Sequence, residues 1–316
     1  MTAFNDIRLA RERIAAIAHR TPVLTSQSFN RESGVQAFFK AENFQRGGAF
    51  KIRGAANMIF SLSKPELNCG VVAFSSGNHA QAVAIAAKAV GAKATLVMPR
   101  DAPKFKMAAT RAQGPEIVTY DRFKDDREAL GKRVAEETGA ILVPPYDHEL
   151  IMAGQGTTAV ELLEDAPDLD ALVVCVGGGG LISGCAIAAR ELRPSVRIFG
   201  VEPELANDTW LSMQKGERVE IPPPDTIADG LRSPQPGALT FPVIQRHVEK
   251  VVLVSEEEIR ATVRFLLLRL KILVEPSGAV AAAAVLYKKI PPSLKRIGII
   301  LSGGNVDADQ LAEILG

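Results

Sequence analysis

Three observations predict an α/β fold with parallel sheets. Short β-branched runs recur along the chain, and each is followed by polar or glycine-rich residues and then by an alanine-rich stretch of helical spacing. Strands that alternate with helices need crossover connections, which build parallel sheets covered on both faces. The third observation is length: 316 residues favour two moderate domains over one, at about 100–200 residues per domain.

The chain opens with "MTAFNDIRLARERIAAIAHR", an amphipathic helix in which Asp6, Arg8, Arg11, Glu12 and Arg13 interrupt the apolar core that a signal peptide needs. Strand runs follow at "VVAF" (71–74), "ATLVMP" (94–99), "EIVTY" (116–120), "ILVPP" (141–145), "LVVCV" (172–176), "RIFGVEP" (197–203) and "IGIIL" (297–301). Four of them fall between residues 71 and 145, which predicts a small mobile domain over 61–147 and a large domain built from 1–60 and 148–316. The most apolar stretch, "RFLLLRLKILVEPSGAVAAAAVLY", is broken by Arg269, Lys271, Glu275 and Pro276 and does not read as a membrane span of about 20 residues.

Composition narrows the function classes. With 47% hydrophobic residues, 23% charged residues and a net charge of +1, the chain is neither disordered nor a nucleic-acid binder, so a small-molecule ligand is expected. Cys69, Cys175 and Cys185 are an odd number without CxxC spacing, which argues against a disulfide framework or a structural zinc and for the cytoplasm.

In parallel sheets, ligands collect where strand C-termini meet helix N-termini. Three such loops stand out: "FSSGNHAQ" (74–81), "VGGGGLISG" (176–184) and "LSGGN" (301–305). Gly177, Gly178, Gly179 and Gly180 end a buried-type strand, and a helix is predicted to start near Leu181. Four residues without Cβ let backbone N–H groups close on an anion, and the helix terminus adds partial positive charge, so a phosphate fits there. No Lys-Ser/Thr follows in Walker A spacing and no G-x-G-x-x-G register is usable, so a nucleotide is disfavoured. Ser75, Ser76 and Asn78 could simply cap a helix, and Ser302 could simply start a turn.

"NFQRGGAFKIRGAANMIF" (43–60) places Lys51 inside an apolar run. Its stem could pack along a helix with the ammonium reaching water. The alternative is an amine held where it loses its proton and attacks a carbonyl.

Taken together and in order, "NFQRGGAFKIRGA", "SSGNHAQA", "AGQGT" (153–157), "GGGGLISG", "TIADG" (226–230) and "LSGGN" resemble the fold-type II pyridoxal-phosphate (PLP) enzymes, a tryptophan synthase β-like fold with the cofactor between two α/β domains. Within them the chain is similar to the branch of threonine and serine dehydratases, threo-3-hydroxyaspartate ammonia-lyases and serine racemases. The resemblance covers nearly the whole chain. It implies that Lys51 carries PLP on its amine, that Gly177–Gly180 hold the phosphate, that Asn78 bonds the ring hydroxyl, that Ser302 faces the pyridine nitrogen and that Phe50 lies against the ring. It also implies that Ser75, Ser76, Asn78 and His79 form the substrate-carboxylate loop. A neutral hydroxyl opposite the ring nitrogen weakens the electron sink relative to a carboxylate, which suits prompt expulsion of a β-hydroxyl. The implied activity is removal of water from a small L-hydroxy amino acid, with Lys51 taking the α-proton, to give a 2-oxo acid and ammonia.

In "GVEPELANDTW", Glu202, the Ala206 carbonyl and Asp208 match the family's divalent-metal position, where oxygen ligands suit Mg²⁺ or Ca²⁺. From spacing alone they read as surface carboxylates near a helix start. Ser76 matches a position that can exchange a proton opposite the lysine, which keeps serine racemase as an alternative. Ala49, in "ENFQRGGAFK", points toward the hydroxyaspartate ammonia-lyases. A substrate β-carboxylate calls for a cation: Arg127 is one candidate, against surface pairing with Asp125 or Asp126, and His148 is a second, against a structural role. A PLP-fold sensor without chemistry and a β-replacement enzyme are further alternatives. The chain ends twelve residues after Gly304, too soon for the regulatory domain of biosynthetic threonine deaminases. The resemblance implies a homodimer that takes an amino-acid substrate, with no nucleic-acid or membrane partner.

Overall fold

The computed structural model describes residues 2–75, 77–121 and 124–316. Its strands are β1 (Val23–Leu24), β2 (Gln36–Ala41), β3 (Val71–Phe74), β4 (Ala94–Pro99), β5 (Glu116–Tyr120), β6 (Ile141–Leu142), β7 (Ala171–Cys175), β8 (Arg197–Pro203), β9 (Lys250–Val254) and β10 (Arg296–Leu301). The helices of the first half are α1 (Phe4–Ile14), α2 (Gln27–Ser33), α3 (Lys51–Ile59), α4 (Lys64–Cys69), α5 (Asn78–Ala89), α6 (Lys104–Arg111), α7 (Arg127–Thr138) and α8 (Glu149–Asp165). Those of the second are α9 (Gly180–Leu192), α10 (Asp208–Lys215), α11 (Thr240–His247), α12 (Glu256–Phe265), α13 (Pro276–Leu286) and α14 (Ala308–Leu315).

The strands form a six-stranded sheet in the order β1-β2-β10-β7-β8-β9 and a four-stranded sheet in the order β5-β4-β3-β6. Every pairing is parallel except that of β1 with β2. All residues of β3 and of β7 are buried, as strands covered on both faces require. The expected strand at 141–145 shortens to Ile141–Leu142, because Pro144 and Pro145 have no N–H to give to a ladder. Strands β1, β2 and β9 were not among the sequence expectations.

One hydrophobic core fills the six-stranded sheet, with Phe39, Val173, Ile198 and Ile299 fully buried between helices that include the alanine-rich α13. A second core joins the four-stranded sheet to α5 and continues through Ile52, Ala55 and Ile59 of α3 to Ile14 and Ile17. Apolar packing therefore runs past residue 60 without a break. Helix α8 touches both α3 and α9 at glycines: a Cβ on Gly154 would overlap the Arg53 carbonyl, and one on Gly184 the Met152 carbonyl. The apolar stretch before α13 is split where Lys271 takes a left-handed φ of 63°. Among the described residues no helix is long and apolar enough to cross a membrane.

Candidate active site

The ends of β3, β7 and β10 and the starts of α3, α5 and α9 face one cavity. It is lined by Phe50, Lys51, Ser75, Asn78, His79, Arg127, Gly177 to Gly180 and Ser302, so the expected cofactor and substrate positions among the described residues converge on it. Ser76 lies outside the described residues.

The glycine loop leaves β7 and starts α9 one residue earlier than expected, at Gly180. Gly179 needs its missing side chain, since its φ of 92° is left-handed and a Cβ would meet the Thr240 hydroxyl at 2.7 Å. A Cβ on Gly178 would fall inside the Tyr146 ring. Among the described residues no acceptor takes the backbone N–H groups of Gly177 to Gly180. A row of free N–H groups at a helix N-terminus fits a phosphate. Gly179→Ala is expected to weaken PLP retention about tenfold or more by reshaping this turn, read as cofactor lost on dialysis; full retention would place the phosphate elsewhere.

Lys51 begins α3 and faces the cavity, where its ammonium donates to the Pro145 carbonyl at 2.7 Å. Burial lowers its pKa to about 8, so on the order of a tenth of the amine is neutral at pH 7. The start of α3 is pinned to β10, since the Phe50 N–H donates to the Ser302 carbonyl at 3.1 Å and Ala49 bridges Gly303. Ser302 is buried, and its hydroxyl is 3.5 Å from the Ser277 carbonyl, a contact too long to hold its proton firmly.

Asn78 is oriented by two partners. Its amide donates to Glu275 at 2.6 Å, and its carbonyl accepts from Asn305 at 3.0 Å. Ser75 makes a local turn, its hydroxyl accepting the Gly77 N–H at 3.2 Å. His79 is buried with its Nε2 against the Val143 carbonyl at 2.9 Å, and burial and then Lys51 lower its pKa to about 3. It is a neutral ring and offers no positive charge to a carboxylate.

Arg127 sits at the first turn of α7. Asp126 is occupied with the Glu128 and Ala129 N–H groups and Asp125 with that of Asp121, and no carboxylate pairs with Arg127 among the described residues. His148 instead caps α8, its Nδ1 accepting the Leu150 N–H at 3.1 Å, and it is not in the cavity wall.

Several lining residues escaped the sequence reading. Lys106 of α6 is buried and pairs with Asp229 at 2.7 Å and Glu275 at 2.9 Å, which joins the four-stranded sheet's helix to segments beside the other sheet. Asp229 lay within "TIADG", and Glu275 precedes the proline that starts a helix buried from Pro276 to Val285, a place where an acid is seldom solvated. Tyr146, Arg232 and Ser233 complete the wall near Arg127.

A second polar site lies between β8 and α10. Glu202 and Asp208 are buried, and Glu202 accepts the N–H groups of Thr209 and Trp210 at 3.1 and 2.7 Å. Both Asp208 carboxylate oxygens are buried without a partner among the described residues. Burial and then Asp208 push Glu202 well above the usual carboxylate range, and burial raises Asp208 to about 8. Two buried carboxylates with unused oxygens, beside the buried Ala206, suit a hard cation that keeps some waters.

A family model described as "Pyridoxal-phosphate dependent enzyme" matches residues 14–303. The chain belongs to this family. It is 48% identical over 315 residues to the serine racemase of Schizosaccharomyces pombe, covering 100% of this chain and 98% of that one. It is 49% identical over 312 residues to the L-threo-3-hydroxyaspartate ammonia-lyase of Saccharomyces cerevisiae, covering 99% and 96%. The solved structure of maize serine racemase matches with a TM-score of 0.95 at 44% identity, over 99% of this chain and 96% of that one. The free glycine N–H groups and the lowered Lys51 pKa fit the family's cofactor.

Proposed function

We propose that the protein is a PLP-dependent ammonia-lyase that removes water from a small L-hydroxy amino acid, giving a 2-oxo acid and ammonia. The observation that carries this reading is the convergence of Lys51, Asn78, the glycine loop and Ser302 on one cavity within a chain similar to hydroxyaspartate ammonia-lyases. PLP, when bound, supplies an electron-withdrawing ring that stabilises negative charge at the substrate α-carbon. Lys51 would hold the cofactor through its amine, and its Nζ, once displaced by the substrate amine, would accept the α-proton, a role its pKa near 8 suits. Gly177 to Gly180 would bind the phosphate, and Asn78, Phe50 and the uncharged Ser302 hydroxyl would hold the ring. Ser75, Asn78 and the turn around His79 receive the α-carboxylate.

Arg127, facing the cavity without a carboxylate partner among the described residues, is the cation for a β-carboxylate, which favours threo-3-hydroxyaspartate over threonine and serine. Similarity to serine racemases supports a second reading, in which Ser76 returns a proton to the opposite face. Mixing PLP-loaded protein with L-threo-3-hydroxyaspartate separates the two: equal amounts of ammonia and oxaloacetate are expected, whereas inverted amino acid without ammonia would replace elimination with racemisation.

Glu202, the Ala206 carbonyl and Asp208 hold Mg²⁺ or Ca²⁺. Chelation is expected to lower the Tm by about 5 °C at pH 8. Without the cation, both carboxylates have folded pKa values above their unfolded ones, so their contribution to stability is fully present below about pH 4 and is lost as pH rises toward 8. With the cation that fall disappears. An unchanged Tm after chelation at pH 8 would remove the metal from the account.

Residues 61–147 move as a unit that closes over the substrate and excludes water. The protein works as a cytoplasmic homodimer, in keeping with its cysteine usage.

A further inference from the structure

Beneath the cavity lies a buried ionic cluster that none of the steps above uses. Arg53 of α3 is 1% exposed. Its Nε and Nη2 donate to Glu42 at 2.8 and 2.9 Å, and its Nη1 and Nη2 each donate to Glu161 at 2.8 Å. Nη1 also reaches the Thr157 hydroxyl at 3.0 Å. Lys40 completes the set, 2.6 Å from both Glu161 and the Thr21 carbonyl, so two cations balance two carboxylates.

The cluster has a direction. Residues 51 and 53 are about 200° apart around a helix, so Lys51 faces the cavity while Arg53 faces the opposite way, into the interior. Glu42 follows β2, and Glu161 belongs to α8, the helix whose Gly154 lies against the Arg53 carbonyl and whose Met152 and Gly156 lie against Gly184 of α9, the helix that the glycine loop starts. Arg53 thus grips the back of α3 on the same helix that fixes the glycine loop. A single-charge hydrophobic anchor would let α3 roll, whereas two bidentate pairs at fixed planes do not.

We infer that Arg53 is a positioning residue: held between Glu42 and Glu161, it fixes the rotation of α3 and so sets where the Lys51 amine stands relative to the glycine loop. This rests on the reading of Lys51 as the cofactor's attachment point. A reacting group misplaced by about 1 Å can cost on the order of 100-fold in rate, so the grip acts on chemistry as well as on folding.

Two variants test it. Arg53→Met with Glu42→Gln removes one charge of each sign and leaves Lys40 paired with Glu161; replacing a buried ion pair in this balanced way is often neutral for stability. Arg53→Lys keeps the charge and loses the planar grip. For the double variant we expect a Tm within a few degrees of the parent, PLP affinity weaker by about tenfold, a bound-cofactor absorbance whose pH midpoint moves by about 0.5 unit, and kcat lower by about 10- to 100-fold with KM changed less than about threefold. Arg53→Lys should fall between the two, and it carries the test by the same criteria if the double variant does not fold. Parental affinity, spectrum and midpoint in a folded variant, or activity that falls only as Tm falls, would overturn the inference. Lys51→Ala is run beside them: if it keeps the fixed absorbance, the underlying Lys51 reading fails instead.

Discussion

Lys51→Ala is expected to abolish the near-ultraviolet absorbance of reduced cofactor that stays on the protein after borohydride treatment and dialysis, and to lower 2-oxo acid release by on the order of 1,000-fold. Among the described residues Lys51 is the one lysine of the cavity without an acidic partner, since Lys106 is tied to Asp229 and Glu275. Burial without a counter-charge lowers the Lys51 pKa to about 8, whereas the two carboxylates keep Lys106 protonated. Capture of PLP by the apo protein should therefore speed up as pH rises through about 8, about two units below the range of an ordinary lysine. Borohydride-fixed absorbance in Lys51→Ala, mapped to another peptide, would reassign the nucleophile.

Arg127→Leu is the second large effect. Oxaloacetate formation from threo-3-hydroxyaspartate should drop by on the order of 100-fold, mostly through KM, because a desolvated substrate carboxylate would lose the guanidinium that pairs with it. Release of pyruvate from serine should change by less than about threefold, since serine presents no second carboxylate. Equal losses on both substrates would make Arg127 a structural residue of α7. The neighbouring Arg232 keeps its charge, with Nε and Nη2 donating to the Thr226 carbonyl at 2.9 and 2.6 Å.

The parallel sheets were legible because strands such as "VVAF" and "LVVCV" are buried on both faces and lead into glycine loops. Strand β2 was not, because "QAFFKA" ends beside Lys40, which reads as polar until Glu161 and the Thr21 carbonyl are seen around its ammonium. Strand β9 leads into "SEEEIRATVRF", a charged amphipathic helix with a capping box, so it lacked the alanine-rich sequel that marked the others. At the site, Lys51 and the glycine loop were readable because each combines local residue types that sit poorly elsewhere. Lys106, Asp229 and Glu275 were not, since their meaning is a pairing across 123 and 169 positions of sequence that only the packed chain brings together. His148 shows the opposite case: a histidine near the site whose imidazole is spent on a helix cap.

The most direct test of the central claim is 2-oxo acid release by purified, PLP-loaded protein with Mg²⁺, measured side by side on L-threo-3-hydroxyaspartate, L-threonine, L-serine and D-serine, with chiral analysis of the amino acid left over. Oxaloacetate is expected well above 2-oxobutyrate and pyruvate, with ammonia matching it mole for mole. Absence of oxo acid from all four, with the cofactor spectrum still shifting on substrate addition, would contradict that claim.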